Sequence, residues 1–160
     1  MILLLDLDNV VRDASWRDGL SASEGWDAYH AQGINDKPVK EIIELVRTLN
    51  SAAWTIAAVT GCTDNFREQT MKWMIYNRLP VDVLLMRKKG DFRPTPEVKL
   101  ELVKTHFPSI SLNQFIIIDD RDDVCTVFRE AGITALQCYK RQNPASKPVA
   151  TGVQGGAYDL

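Results

Sequence analysis

The sequence predicts an α/β fold built on an open parallel sheet with helices on both faces. Short, continuous apolar runs recur along the 160 residues, and amphipathic helical patterns lie between them. Apolar runs of this length are typical of parallel strands that are covered on both faces. Strands that alternate with helices indicate βαβ units and therefore a parallel sheet.

Five strands are expected, and several of them end in a polar residue that a core would not need. The first ends at Asp6, the second at Thr60 and the fourth at Asp119. The predicted strands cover residues 2–5, 54–59, 83–86, 115–118 and 134–138.

Helix signals separate these strands. Pro38 occupies a favourable first-turn position, Asn65 three residues before Glu68 is a capping pattern, and Gly132 is a typical residue after a helix end. The predicted helices cover residues 38–49, 65–77, 96–107 and 122–131.

Two segments interrupt this alternation. Residues 12–37 form a polar insertion that exceeds an ordinary strand-to-helix loop, so we expect a small cap-like element there. Residues 140–160 contain two prolines and three glycines, a composition that predicts a flexible C-terminal tail. One domain is therefore expected over residues 1–139.

Composition excludes several classes of protein. Nineteen Lys and Arg residues against 21 Asp and Glu residues give a net charge of −2, so a broadly basic nucleic-acid coat is not expected. The three cysteines are scattered without a CxxC pair, which favours a reduced cytoplasmic protein over a cysteine-based zinc site. The apolar N-terminus stops at Asp6 and lacks a basic segment, so we expect neither a signal peptide nor a membrane span.

Polar side chains collect at the predicted strand ends, where open α/β sheets bind their ligands. Carboxylates that are close together raise one another's pKa and need a cation, and oxygen ligands favour Mg²⁺. A carboxylate can also act as a nucleophile toward phosphorus, and a second acid two residues later can transfer a proton. The candidate residues are Asp6, Asp8, Thr60, Lys99, Asp119 and Asp120.

Simpler explanations remain open for several of these residues. The acids at the end of the first strand are also compatible with a solubilising role. Asp119 and Asp120 are compatible with a helix N-cap, and Arg87, Lys88 and Lys89 with a solvated loop. The order of these residues along the chain is what distinguishes a catalytic site from these simpler explanations.

Asp6-Leu7-Asp8-Asn9-Val10 after an apolar strand, then Thr60, Lys99 and Ile118-Asp119-Asp120, resemble the four motifs of the haloacid dehalogenase (HAD) superfamily. More narrowly, the chain resembles the phosphatase domain of phage polynucleotide kinase/phosphatase. The similar stretches are 36–39, 86–93, 98–99 and 118–121. The resemblance implies a HAD-like Rossmannoid fold and a phosphatase domain over residues 1–139.

The resemblance also implies roles for individual residues. Asp6 would be the nucleophile, and Asp8 the general acid/base whose main-chain carbonyl also contacts Mg²⁺. Thr60 and Lys99 would bind the phosphoryl group. The metal site would comprise Asp6, Asp8, Asp119 and Asp120. Asp120 is favoured as a direct ligand, and Asp119 beside it would bind Mg²⁺ either directly or one shell further out. Substrate contacts would come from Gly61, Arg87, Arg93 and Arg121.

The chain departs from the family pattern at two positions. Val10 stands where many members have Thr. Thr60 is followed by Gly61-Cys62 where many phage relatives have Gly-Arg, which removes a positive charge that could contact substrate. The Gly-x-x-x-x-Gly-Lys-Ser/Thr pattern of a P-loop is not found in the sequence, so we expect no kinase domain in this chain.

These expectations define a Mg²⁺-dependent phosphomonoesterase that acts through an aspartyl-phosphate on a nucleic-acid 3′-phosphate end or a nucleotide. The alternative is a (deoxy)nucleoside 5′-monophosphatase. A receiver-like module is disfavoured because receivers carry their acid pair early and the nucleophile later, and a non-catalytic binder is disfavoured by intact Asp6 and Asp8. The expected location is the cytoplasm, or the host cytoplasm if a phage encodes the chain. The sequence specifies no oligomeric state.

Overall fold

The computed structural model describes residues 1–138, along which seven strands and six α-helices follow one another. They are β1 (Ile2–Leu5), β2 (Arg12–Asp13), α1 (Leu20–Ser23), α2 (Trp26–Ala31), β3 (Lys37–Pro38), α3 (Lys40–Ser51), β4 (Thr55–Thr63), α4 (Arg67–Tyr76), β5 (Val83–Arg87), α5 (Thr95–His106), β6 (Phe115–Asp119), α6 (Asp122–Glu130) and β7 (Thr134–Gln137).

Five strands form one parallel sheet in the order β5-β4-β1-β6-β7, which confirms the predicted α/β fold class. The central strand β1 pairs on one side with β4, where Leu5 lies opposite Ala58. On its other side β1 pairs with β6, where Leu5 lies opposite Ile118. Since all five strands are parallel, their carboxyl ends meet along one edge of the sheet.

Both faces of the sheet are buried, and this explains the uninterrupted apolar run of β1. Side chains of a strand alternate between the two faces. Ile2 and Leu4 therefore pack in the layer that contains α5 and α6, while Leu3 and Leu5 pack in the layer of α3 and α4. With apolar layers on both sides, no position of the strand faces water.

Two predictions about helix starts are wrong. Pro38 lies in β3, where it pairs with Arg12, and α3 begins only at Lys40. Proline is tolerated in such a short edge strand because its missing N–H is not needed there. Asn65 lies in a 3₁₀ turn before α4 and makes no capping hydrogen bond, because its side chain accepts a hydrogen bond from Thr63 Oγ1 at 2.6 Å instead.

The predicted second strand also extends further than its apolar run. β4 continues through Thr60 to Thr63, with an irregular register against β5 between these two residues. Irregularities of this kind re-aim side chains near functional sites. The strand therefore carries Thr60 and Gly61 at the sheet edge within an extended segment rather than in a plain turn.

The insertion of residues 12–37 is structured and docked on the body of the protein. The antiparallel pair β2–β3 closes its two ends, and short helices lie between them. Trp73 on α4 donates its indole N–H to the Asp36 carbonyl at 2.8 Å, and Gln69 donates to the Ala31 carbonyl at 2.6 Å. These contacts hold the insertion against α4. A cap-like role stays a prediction.

The predicted tail of residues 140–160 lies outside the described residues. Within residues 1–138, no helix combines the length and the apolar character that crossing a membrane requires.

Candidate active site

Three carboxylates meet at the edge of the sheet where the strands end. Asp6 directly follows β1, Asp119 ends β6, and Asp120 is the next residue. The Asp6 backbone N–H donates to the Ile118 carbonyl at 3.0 Å, so strand pairing continues as far as Asp6. One carboxylate oxygen from each acid lies within 4.8 Å of the others. The predicted convergence of these three acids is therefore observed.

Lys99 places its ammonium group between two of these acids. Its Nζ atom lies 2.6 Å from Asp6 Oδ1 and 2.6 Å from Asp119 Oδ2, and the side chain is almost completely buried. Burial by itself would lower the pKa of Lys99, but the two carboxylates raise it above its ordinary value. The lysine is therefore held in its charged form.

Asp6 lies in an environment that disfavours its charge despite this ammonium. Burial raises the pKa of Asp6, Lys99 opposes that rise, and the like charges of Asp119 and Asp8 add to it. A divalent cation beside the carboxylates would offset both the burial and the repulsion.

The donor set fits Mg²⁺, since three carboxylates at this spacing match a hard cation that prefers oxygen ligands. Asp6, Asp119 and Asp120 would hold it.

The Asp8 carboxylate is not part of this cluster. Its Oδ1 atom instead accepts hydrogen bonds from Arg12 Nε at 2.5 Å and from Arg17 Nη2 at 3.0 Å. Burial would raise the pKa of Asp8, but the two guanidinium groups outweigh it and lower the pKa to about 2. The predicted metal contact of Asp8 through its main-chain carbonyl stays a prediction.

Asp36, which is buried, completes the surroundings of Asp8, which is partly exposed. Arg17 binds Asp36 through both Nε, at 3.0 Å, and Nη2, at 2.6 Å, while Arg12 Nε lies 3.5 Å from Asp36 Oδ2. The Arg17 guanidinium also lies 3.9 Å above the Tyr29 ring. Two cations thus face two anions in a buried network, a balance that offsets the desolvation of each charge.

Sequence reasoning did not identify Arg12 and Arg17 as residues of the site. Both lie in the polar insertion, and both are almost fully buried. Both arginines lie between the first motif and the 36–39 stretch, and this position was the only hint of a role in the site. No spacing rule predicts from it that they pair with Asp8 and Asp36.

Thr60 and Gly61 lie at the same edge on β4. Thr60 is buried, and its Oγ1 accepts the backbone N–H of Cys62 at 3.1 Å. The Gly61 carbonyl accepts a hydrogen bond from Arg87 Nε at 3.1 Å. Sheet register puts Thr60 two residues beyond Ala58, which is the partner of Leu5. The Thr60 backbone therefore lies one residue beyond the level of Asp6.

The three arginines predicted to contact substrate are engaged with the protein itself. Arg87 donates to three backbone carbonyls and to Thr95 Oγ1. Arg93 is paired with Asp91 and Glu101, and Arg121 with Asp123. Substrate contacts by these arginines stay a prediction.

A known protein family matches the chain. The polynucleotide kinase PNKP phosphatase domain family matches residues 2–142, which is most of the chain. The chain belongs to this family.

Solved structures agree with the fold of a PNKP-type phosphatase domain. A chain from the structure of a Pnkp1/Rnl/Hen1 complex superposes with a TM-score of 0.72 at 21% identity. This alignment covers 85% of the present chain and 44% of that one. The haloacid dehalogenase-like hydrolase SP0104 from Streptococcus pneumoniae gives a TM-score of 0.64 at 17% identity, covering 90% and 87% of the two chains.

A third structure, a putative phosphatase from Clostridium difficile, gives a TM-score of 0.68 at 16% identity, covering 90% of this chain and 87% of that one. At such identities these similarities establish a HAD-like fold. No curated protein matches the chain at a significant level. The chain spans less than half the length of the first two similar structures, which come from Pnkp1/Rnl/Hen1 complexes.

Proposed function

We propose that this PNKP-type phosphatase domain is a Mg²⁺-dependent phosphomonoesterase that removes the 3′-phosphate from a nucleic-acid end. The observation that carries the proposal is the contact of Asp6 with Lys99 beside Asp119 and Asp120. This arrangement joins a carboxylate nucleophile, a buried ammonium and a set of metal ligands at one sheet edge, as phosphoryl transfer requires.

Asp6 supplies the nucleophile in the first step. One carboxylate oxygen attacks phosphorus, the bond from phosphorus to the 3′-oxygen breaks, and an aspartyl-phosphate forms on Asp6. Lys99 and Thr60 bind the equatorial phosphoryl oxygens and stabilise their developing charge. Mg²⁺ bound by Asp6, Asp119 and Asp120 would supply further neutralisation of that charge.

Asp8 moves the protons of both steps. It donates a proton to the leaving 3′-oxygen, and it then accepts a proton from the water that attacks the aspartyl-phosphate. The second step releases inorganic phosphate and regenerates the Asp6 carboxylate. Because pairing with Arg12 and Arg17 holds Asp8 as a carboxylate before substrate binds, the proton for the first step enters with the substrate, from its phosphate monoanion, and leaves with the released phosphate. The same pairing favours the carboxylate that accepts the water proton in the second step.

Support for a nucleic-acid end as substrate comes from the family and from a structural relative. The family description names polynucleotide kinase, and one similar structure is described as a Pnkp1/Rnl/Hen1 RNA repair complex. Both descriptions concern proteins that act on strands. The second candidate function, a (deoxy)nucleoside 5′-monophosphatase, uses the same chemistry on a smaller substrate.

A substrate panel with Mg²⁺ tests the proposal. It compares a 3′-phosphorylated oligonucleotide, the same oligonucleotide with a 5′-phosphate, a nucleoside 3′-monophosphate and a deoxynucleoside 5′-monophosphate. We expect the highest kcat/KM on the 3′-phosphorylated oligonucleotide. A higher kcat/KM on the deoxynucleoside 5′-monophosphate would favour the nucleotidase, and phosphate release by Asp6→Asn would overturn the covalent mechanism.

A further inference from the structure

The loop that follows β5 presents an aromatic ring to solvent at the catalytic edge of the sheet. Phe92 is 95% exposed, more than any other large hydrophobic side chain among the described residues. The loop begins where Arg87 ends β5, and Arg87 is bonded to Gly61, the residue after Thr60. Phe92 therefore belongs to a loop that is attached directly to the phosphoryl-binding edge.

The buried side chain of Arg87 holds the backbone of this loop through hydrogen bonds. Arg87 Nη1 donates to the carbonyls of Asp91, at 3.0 Å, and Arg93, at 2.8 Å, which flank Phe92 on both sides. The same guanidinium reaches Thr95 at the start of α5. Phe92 is thus presented from a segment whose backbone is held on either side of it.

Other contacts hold the rest of the loop. The Lys89 N–H donates to Asp64 Oδ1 at 3.0 Å, which connects the loop to the turn before α4. Gly90 has a φ of 85°, a backbone conformation that favours glycine and allows the tight turn here. Arg93 is clamped by Asp91 and by Glu101 on α5. The loop that exposes Phe92 is therefore held in a defined conformation by these hydrogen bonds and ion pairs.

Positive charge accompanies the exposed ring. Lys88 and Lys89 are exposed, and their ammonium groups form no ion pair with any residue that the structure describes. Arg93, in contrast, is neutralised by its two acids. An exposed aromatic ring and cations without an ion pair on one loop are the combination that single-stranded nucleic acids bind, through base stacking and phosphate contacts.

We propose that residues 88–93 form a strand-binding loop in which Phe92 stacks on a base and Lys88 and Lys89 contact backbone phosphates of a single-stranded 3′-phosphorylated end. The inference rests on the proposed function and deepens it, because the loop gives a polymer contacts that a mononucleotide lacks. The preference for a strand over a nucleotide then comes from this loop, while the chemistry remains with Asp6.

A binding measurement tests the role of the loop independently of the catalytic step. A fluorescently labelled single-stranded oligonucleotide with a 3′-phosphate is titrated with Phe92→Ala, Phe92→Trp and the unaltered chain. We expect Phe92→Ala to raise Kd roughly 5- to 150-fold, the range for loss of one base stack, and Phe92→Trp to retain binding. Tyr76→Ala is the matched control. Tyr76 is an exposed aromatic residue at the C-terminal end of α4, and the N-terminal end of that helix is the one that follows the strand of Thr60.

Salt dependence tests the lysines. Each phosphate contact on a single strand contributes about 0.7 to the slope of log Kd against log salt concentration. We therefore expect Lys88→Ala and Lys89→Ala each to reduce that slope by about 0.7. Lys104→Ala, which removes an exposed lysine near the far end of α5, should leave the slope unchanged.

The outcomes distinguish this inference from the proposed function. Strand binding that is unchanged in Phe92→Ala, Lys88→Ala and Lys89→Ala overturns the loop assignment even if the chain removes 3′-phosphates. Loop-dependent binding without phosphate release overturns the proposed function and leaves the loop assignment standing. If the chain shows no strand binding and no turnover, both the loop assignment and the proposed function are overturned. Hydrolysis of glycerol phosphate, which has no ring to stack and no nucleic-acid backbone to contact, should be equal in all the loop variants.

Discussion

The guanidinium of Arg12 lies 2.5 Å from the carboxylate of Asp8, with its Nε atom pointing at Oδ1. This ion pair connects the insertion of residues 12–37 to the residue proposed to move protons. Arg17 binds the same oxygen, and Asp36 binds Arg17 and lies near Arg12. The insertion is therefore part of the structure that positions Asp8.

Removing Arg12 should destabilise the protein. Arg12→Met leaves Asp8 and Asp36 with one buried cation between them, and breaking a buried ion pair costs about 3–5 kcal/mol. Urea unfolding measures the loss. Lys72→Met is the control, because it removes a solvent-exposed pair with Glu68 and should leave the unfolding midpoint nearly unchanged. Equal stability of both variants would contradict the structural role of Arg12.

Gly33→Ala should disturb the same guanidinium without changing a charge. A Cβ at residue 33 would lie 3.1 Å from Arg12 Nη1 and 3.3 Å from its Cζ. Because Asp8 holds that guanidinium in place, we expect a loss of about 1 kcal/mol in unfolding free energy and a lower kcat. Gly19→Ala is the control, since a Cβ there meets nothing within 4 Å. A kcat for Gly33→Ala equal to that of Gly19→Ala would mean that the geometry of Arg12 does not matter for turnover.

Asp6→Asn should abolish turnover while the fold is retained. The amide cannot form the aspartyl-phosphate, so we expect a drop in kcat of at least about 10³-fold on 3′-phosphorylated substrate. Acid-quenched reactions with labelled substrate should show protein-bound phosphate in the unaltered chain and none in the variant. A circular dichroism spectrum like that of the unaltered chain is the folding control, and labelled protein in the variant would argue for a different nucleophile.

Removal of metal should stop the reaction, and Asp120 should set its metal requirement. We expect chelation by EDTA to abolish phosphate release and added Mg²⁺ to restore it. Asp120→Asn should raise the Mg²⁺ concentration for half-maximal activity by at least about tenfold, since it weakens one of three candidate ligands. Asp123→Asn, which changes an acid that pairs with Arg121 instead, is the matched control. The same Mg²⁺ requirement in both variants would argue against ligation by Asp120.

Much of the fold could be predicted because burial leaves a direct signature in sequence. Strand β1 is apolar at every position since both of its faces are covered, and Asp6, the acid that follows it, marks the edge of the sheet. The ends of helices were harder to predict. Pro38 carries a helix-start signal, yet it pairs with Arg12, a residue far away in sequence that local patterns cannot anticipate.

The candidate site divides in the same way. Sequence alone determined that acids and a threonine lie at the ends of parallel strands, because strand direction brings those ends to one edge, and that a lysine lies near the start of a helix. Only the tertiary structure decided that Lys99 bridges Asp6 and Asp119 and that Arg12 and Arg17 surround Asp8. Those contacts depend on how an irregular insertion and α5 pack against the sheet. Side-chain packing between distant segments is a property of the folded chain, and it has no periodic signature in the sequence.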